Sequence, residues 1–128
     1  MGNEVLKGRK ILIVEDDFSS RLYLNKILEK SGLILLNAGD GQEAIDIALK
    51  NPDIDIILMD IQLPIIDGYV SAKKIREFRD NIIIIAQTAY GLIGDTEEII
   101  NSGFDDYIIK PILSKNLIEK LIAHLPEK

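Results

Sequence analysis

The stretch Ile11-Leu12-Ile13-Val14-Glu15-Asp16-Asp17 decides how the rest of the chain is read. Four aliphatic residues, three of them β-branched, stop abruptly at three acids. A short, continuous apolar run of this kind suits a strand buried on both faces, and such strands belong to parallel sheets covered by helices. Similar runs recur at residues 33–38, 54–59, 82–86 and 107–109. A helical pattern follows each of them. After the first run, Leu24, Ile27 and Leu28 fall at helical spacing, and Gly32 supplies a stop. After the second, Asp40-x-x-Glu43 has the form of a capping box. It opens a helix carrying Ala44, Ala48 and Leu49 that ends near Asn51-Pro52. After the third, Pro64 and Asp67-Gly68 punctuate a loop, and Ala72, Ile75 and Phe78 then share a helical face. After the fourth, Asp95-x-x-Glu98 marks a helix start and Gly103 its end. After the fifth, Ser114 is placed to cap a helix with Ile118, Leu121, Ile122 and Leu125 at i, i+3, i+4 and i+7. Strand then helix, five times over, predicts an α/β fold with a parallel sheet and helices on both faces.

Composition narrows the function classes. The chain has 128 residues, the size of one domain, and 47% of them are hydrophobic, enough for one sizeable core. A net charge of −6 argues against a nucleic-acid face and against docking on anionic membrane. The absence of cysteine excludes disulfides, thiolate metal sites and cysteine nucleophiles. No apolar run reaches membrane-span length, and the first ten residues lack the apolar stretch of a signal peptide. The expectation is a cytoplasmic domain over residues 9–126, preceded by a flexible lead-in over residues 1–8.

In open α/β sheets, ligands bind beyond the carboxyl ends of the strands. Those ends deliver Glu15, Asp16 and Asp17 from the first strand, Asp60 from the third, Thr88-Ala89 from the fourth and Lys110 from the fifth. Each has an ordinary reading by itself: an acidic helix start, a loop cap, a turn residue, a surface lysine. Together they assemble clustered carboxylates, a hydroxyl and a cation at one edge of the sheet. Carboxylates at that density repel one another unless a hard cation such as Mg²⁺ joins them. A carboxylate can also attack phosphorus to give an aspartyl phosphate. Phosphoryl transfer needs charge neutralisation and in-line positioning more than acid–base groups.

The motifs Ile11-Leu12-Ile13-Val14-Glu15-Asp16, Met59-Asp60-Ile61-Gln62-Leu63-Pro64, Asp67-Gly68, Gln87-Thr88-Ala89 and Asp106-Tyr107-Ile108-Ile109-Lys110-Pro111 occur in this order. In that combination the chain resembles the response-regulator receiver domain, the CheY-like family, over nearly its whole length from Arg9. The resemblance implies a doubly wound (βα)5 sandwich of flavodoxin-like type with strand order 2-1-3-4-5. It implies a phosphoacceptor module of a two-component or phosphorelay system rather than an enzyme in the usual sense, one that promotes its own phosphorylation and dephosphorylation. Asp60 matches the phosphoacceptor, which takes a phosphoryl group from a phosphohistidine. Asp16 matches the direct Mg²⁺ ligand and Glu15 a ligand acting through water, with Asp60 and the Gln62 backbone carbonyl completing the set; Mn²⁺ is the alternative ion. Asp17 is expected to assist electrostatically, and Arg21 falls where the family often has arginine. Thr88 and Tyr107 match the switch pair, Lys110 the lysine that pairs with a phosphoryl oxygen, and Ala89 the small residue beside it. A cis Lys110-Pro111 bond is implied as well. Gln62 and Tyr90 occupy the two positions thought to tune the hydrolytic water. The implied partner is a sensor histidine kinase or a histidine phosphotransfer domain.

Departures from the family pattern are Ile66, in place of a common methionine, and Gln87, polar where an apolar or small residue is frequent. Neither is expected to affect the chemistry. The stretches Leu6-Lys7-Gly8-Arg9-Lys10, Asp60-Ile61-Gln62 and residues 91–106 look most like the receiver of a hybrid sensor kinase, so a stand-alone protein and an excised domain are both open. His124, the single histidine, reads as a surface helical residue rather than a phosphodonor. The rival functions fit less well. A phosphatase of the haloacid-dehalogenase type needs an acid two residues after its nucleophile, where Gln62 stands. A flavin or nucleotide module would carry a glycine-rich phosphate loop, and none is present. A degenerate receiver would lack part of the acidic set.

Overall fold

A computed structural model describes residues 3–89 and 93–126. Its centre is a five-stranded parallel sheet in the order β2-β1-β3-β4-β5, formed by β1 (Lys10–Val14), β2 (Ile34–Ala38), β3 (Ile54–Asp60), β4 (Ile83–Thr88) and β5 (Asp106–Ile109). The helices are α1 (Asn3–Leu6), α2 (Phe18–Leu28), α3 (Gly41–Lys50), α4 (Gly68–Phe78), α5 (Ile93–Asn101) and α6 (Ser114–His124). This is the doubly wound α/β arrangement that the sequence implies.

Side chains alternate along a strand, so each apolar run feeds two cores. Leu12 and Val14 of β1, Ile57 and Met59 of β3, and Ile84 and Ala86 of β4 pack on one face against Ala44, Ala48, Ala72, Ile75 and Ile99 of α3, α4 and α5. Ile11 and Ile13, Ile56 and Leu58, and Ile85 face the other way, against Leu24 and Leu28 of α2 and Leu117 and Leu121 of α6. Continuous apolar runs were required because both faces are covered. By contrast β2, at the sheet edge, leaves Ile34 at 45% exposure.

Helix starts follow the acids. Asp17, Asp40 and Asp67 are the N-caps of α2, α3 and α4, accepting from the backbone N–H groups of Ser20, Glu43 and Val70 at 2.8, 2.8 and 2.9 Å. Glu43 reaches back to Gly39 N at 2.9 Å, one residue earlier than the standard capping box. Two starts differ from expectation. Leu113, not Ser114, stands at the N-cap of α6 without a side-chain hydrogen bond, and α5 is already under way at Ile93, two residues before Asp95. Leu49 points largely outward at 57% exposure, Phe78 is only partly covered at 38%, and Ile45 takes the buried place on α3.

Part of the segment read as a flexible lead-in is packed. Leu6 is fully buried in the same core as Leu28, Leu33 and Leu125. Gly8 N donates to Gly32 O at 2.9 Å, and Arg9 Nε donates to Val5 O at 2.7 Å while its guanidinium also reaches Pro126 O. A lone leucine among polar residues has no periodicity to announce it; only the third dimension shows the gap it fills. Leu6→Ala should therefore lower unfolding stability by about 2 kcal/mol, the low end for a buried leucine because so short a helix can relax. Urea denaturation of the two proteins checks this, and an unchanged midpoint would mean that α1 is dispensable.

Candidate functional site

The sheet order brings the carboxyl ends of β1, β3, β4 and β5 side by side. In β1, alternation places Glu15 on the same face as Ile11 and Ile13, one residue past the Val14–Met59 register pair. Asp60 ends β3 and is in register with Gln87 of β4. Lys110 N donates to Thr88 O at 2.8 Å, which fixes the lysine just beyond β5, and the Lys110-Pro111 peptide is cis. The result is a cleft of about 790 Å³ whose lining includes Glu15, Asp16, Asp60, Thr88, Ala89 and Lys110.

Asp60 is 5% exposed. Its Oδ2 accepts from Lys110 Nζ at 2.7 Å and its Oδ1 from the backbone N–H of Gln62 at 2.9 Å. Lys110 Nζ also lies 3.6 Å from Glu15 Oε1. Glu15 is 1% exposed; its Oε2 accepts from Asp17 N at 3.1 Å, and its carbonyl oxygen accepts from Arg21 Nη1 at 3.3 Å. The loop after β3 is held by a close approach: a Cβ on Gly68 would lie 2.4 Å from Asp60 O and 2.7 Å from Ile61 Cα. Glycine at the start of α4 thus lets that helix pack directly against the backbone that carries Asp60.

Burial, pairing and backbone hydrogen bonds each set a charge at the site. Desolvation pushes the Glu15 carboxyl up to about 7, and the neighbouring Asp60 charge adds to the rise, while the Asp17 N–H and Lys110 pull the other way. Burial alone would lower the Lys110 pKa, but pairing with Asp60 and then Glu15 prevails and raises it. Asp17, expected to assist the acids, has its carboxylate turned to α2, where the Ser20 N–H holds it below the usual carboxylate range. The Glu15 shift has a direct consequence. The folded protein keeps a proton that the unfolded chain releases near 4.5, so the stabilisation is present below that pH and is lost as pH rises through about 7. Urea unfolding in EDTA should give a stability up to about 3 kcal/mol lower at pH 8 than at pH 5, and Glu15→Gln should flatten that slope. An equal slope in the variant would assign the effect to another group.

Glu15, Asp16 and Asp60 each offer a carboxylate oxygen, and these oxygens lie within 4.8 Å of one another. An all-oxygen, carboxylate-rich set suits a hard divalent cation. The buried Glu15 Oε1, which has no hydrogen-bond donor, also fits that class of ligand. Tyr107 stands on β5, half-buried and packed against the core beneath α3–α5, outside the cleft lining. Tyr90 lies outside the described residues. His124 is not a free surface histidine: its Nε2 is 2.8 Å from Asp106 Oδ2, which Lys120 Nζ also reaches at 3.0 Å. Sequence reading set Gln87 aside as neutral. It is 1% exposed and stands beside Asp60 in the register, and strand alternation counted from Ile85 could have placed it there.

The family described as the response regulator receiver domain matches residues 11–122, and the chain belongs to it. Among curated relatives, hybrid signal transduction histidine kinase I of Dictyostelium discoideum is 41% identical over 119 residues, covering 87% of this chain but only 7% of that protein. Sporulation initiation phosphotransferase F of Bacillus subtilis (strain 168) is 31% identical over 123 residues, covering 96% of this chain and 98% of the relative. Among solved structures, the CheX–CheY–BeF3–Mg complex from Borrelia burgdorferi superposes with a TM-score of 0.86 at 27% identity, over 91% of this chain and 89% of that one. The relatives are thus response regulators and receivers of hybrid histidine kinases, and the fold is CheY-like. Receiver domains are generally signalling modules rather than enzymes. Among the described residues, no helix is long and apolar enough to cross a membrane.

Proposed function

We propose that this chain accepts a phosphoryl group on Asp60 from a phosphohistidine and signals through the resulting change in its binding face. The observation that carries the reading is the setting of Asp60: a buried carboxylate at a cleft mouth, held at one oxygen by the Gln62 N–H and at the other by the Lys110 ammonium. Both contacts fix its direction, which is what in-line attack demands. An Asp60 oxygen bonds to phosphorus as the N–P bond of the donor breaks, and the electron pair leaves with the imidazole. Lys110 follows the phosphoryl oxygens and offsets their charge. Thr88, buried at the end of β4, donates its hydroxyl to a phosphoryl oxygen, and Ala89 leaves room for it. Glu15, Asp16, Asp60 and the Gln62 carbonyl would hold Mg²⁺, with Mn²⁺ as a substitute. Bound there, the ion neutralises charge developing on the phosphoryl group. Gln62, exposed on the loop after Asp60, is a candidate to orient the hydrolytic water. The partner is a histidine kinase or a histidine phosphotransfer domain, the domain spans residues 9–126 with α1 packed against it, and the compartment is the cytoplasm. The test is intact mass after incubation with a small phosphodonor and Mg²⁺: the gain of one phosphoryl group supports the reading, and an unchanged mass sinks it.

The signal leaves through Thr88 and Tyr107. Drawing Thr88 toward the phosphoryl group biases Tyr107 inward and alters the surface made by α5, β5 and α6, a shift between existing states driven by a local charge. Thr88→Ala should still take the label, while NMR shifts around Tyr107 should respond to phosphorylation less than half as much as in the parent. An equal response in both proteins would place the coupling elsewhere.

A further inference from the structure

Two buried side-chain atoms among the described residues have no hydrogen-bond partner, Glu15 Oε1 and Gln87 Nε2. One is an acceptor and the other a donor. Both residues belong to the same sheet face and flank β3, since Gln87 is the register partner of Asp60 and Glu15 follows the partner of Met59. Both line the Asp60 cleft and also a smaller cavity of about 300 Å³ bounded by Tyr23, Leu24, Pro111 and Ile112. Asp60, between them, is one methylene shorter than either. Across two strand spacings, about 10 Å between Cα atoms, a glutamate and a glutamine are long enough to meet beside it.

A buried amide without an acceptor is destabilising, and an apolar side chain of similar size would remove the penalty. The amide is accounted for if another state of the site supplies its acceptor. In the structure, Lys110 is the counter-charge of Glu15 Oε1, but at 3.6 Å, with its hydrogen bond directed to Asp60. A dication held among Glu15, Asp16 and Asp60 would repel that ammonium, and a phosphoryl oxygen on Asp60 would draw it away. Either event would leave Glu15 without its counter-charge. A neutral donor can take over without repelling the dication. We propose that Gln87 is a positioning residue of this site, whose amide N–H binds the Glu15 carboxylate in the cation-bound state and, with the Asp17 N–H, holds it in place as a ligand. The proposal rests on the cation-assisted phosphoacceptor reading given above.

Gln87→Leu and Gln87→Met remove the donor at nearly constant volume. In EDTA both should be at least as stable as the parent, because a buried unpaired amide is gone. Their Mg²⁺ affinity, read by calorimetry, should fall about tenfold, equivalent to about 1.4 kcal/mol. In the parent, the Gln87 side-chain amide NMR signals should move on Mg²⁺ titration, a readout that needs no variant to fold. A purely structural role predicts the reverse pattern, lower stability in EDTA with unchanged Mg²⁺ affinity. Affinities within twofold of the parent in the variants, or amide signals that stay put at saturating Mg²⁺, overturn the proposal. If the parent binds Mg²⁺ with these effects yet never takes a phosphoryl group, the phosphoacceptor reading fails and the role of Gln87 stands. If the parent is labelled and the variants bind Mg²⁺ as it does, only the role of Gln87 fails. A parent that binds no Mg²⁺ removes both.

Discussion

Asp60→Asn should abolish phosphoryl transfer to this chain. A carboxamide has the shape of a carboxylate but is not a competent nucleophile, and a carbonyl oxygen in place of Oδ1 can still accept the Gln62 N–H. The fold should therefore survive. Two charge effects then oppose each other: losing the Asp60 charge relieves the buried Glu15 carboxyl, and losing the 2.7 Å ion pair to Lys110 removes a favourable contact. Acetyl phosphate or phosphoramidate with Mg²⁺ should add one phosphoryl group to the parent and none to the variant, and EDTA should suppress the label on the parent. Intact mass spectrometry reads all three arms. Undiminished labelling of the variant would move the phosphoacceptor to another carboxylate.

Gly68→Ala should damage both stability and labelling. The added Cβ would meet Asp60 O at 2.4 Å and Ile61 Cα at 2.7 Å, and both are backbone atoms that cannot rotate away. Relief requires α4 to back off or the loop after β3 to shift, and overpacking of this kind costs about 3 kcal/mol. The loop that shifts is the one whose Gln62 N–H holds Asp60, so the rate of labelling should fall at least tenfold, about 1.4 kcal/mol in the barrier. Urea unfolding and single-turnover labelling are the measurements. A variant that unfolds earlier but labels at the parental rate would show that the helix, not the loop, absorbs the strain.

Much of the architecture was readable because continuous apolar strands have few uses. Ile11 to Val14 and Ile56 to Met59 are buried on both sides, and only a sheet with helices on both faces allows that. Strand order was not in the periodicity; it came from the resemblance of the motifs. The acids were legible as a group, since Glu15 and Asp16 directly follow β1 and Asp60 closes β3, but their division of labour was not. Asp17 looks like a fourth member in sequence and spends its carboxylate on the first turn of α2. Gln87 looked incidental because a polar residue at the end of an apolar run reads as the exit of a strand. Alternation from Ile85 gives the face on which it lies, and the covering of that face gives its burial. Leu6 and His124 share that difficulty: each depends on a partner far along the chain, Leu125 and Asp106 respectively, and local pattern carries no long-range pairing.

The tie between the two ends has a modular consequence. Arg9 reaches Val5 and Pro126, and Leu6 shares its core with Leu125, so the chain enters and leaves the domain at one place. A polypeptide that continued on either side would be joined at a single point, like a bead hung on a cord. Such a unit can be spliced into a longer protein without forcing the flanking parts asunder. The same architecture then serves equally as a free carrier or as a cassette, and relatives in which it makes up nearly all or only a small fraction of the protein, 98% and 7%, illustrate both uses.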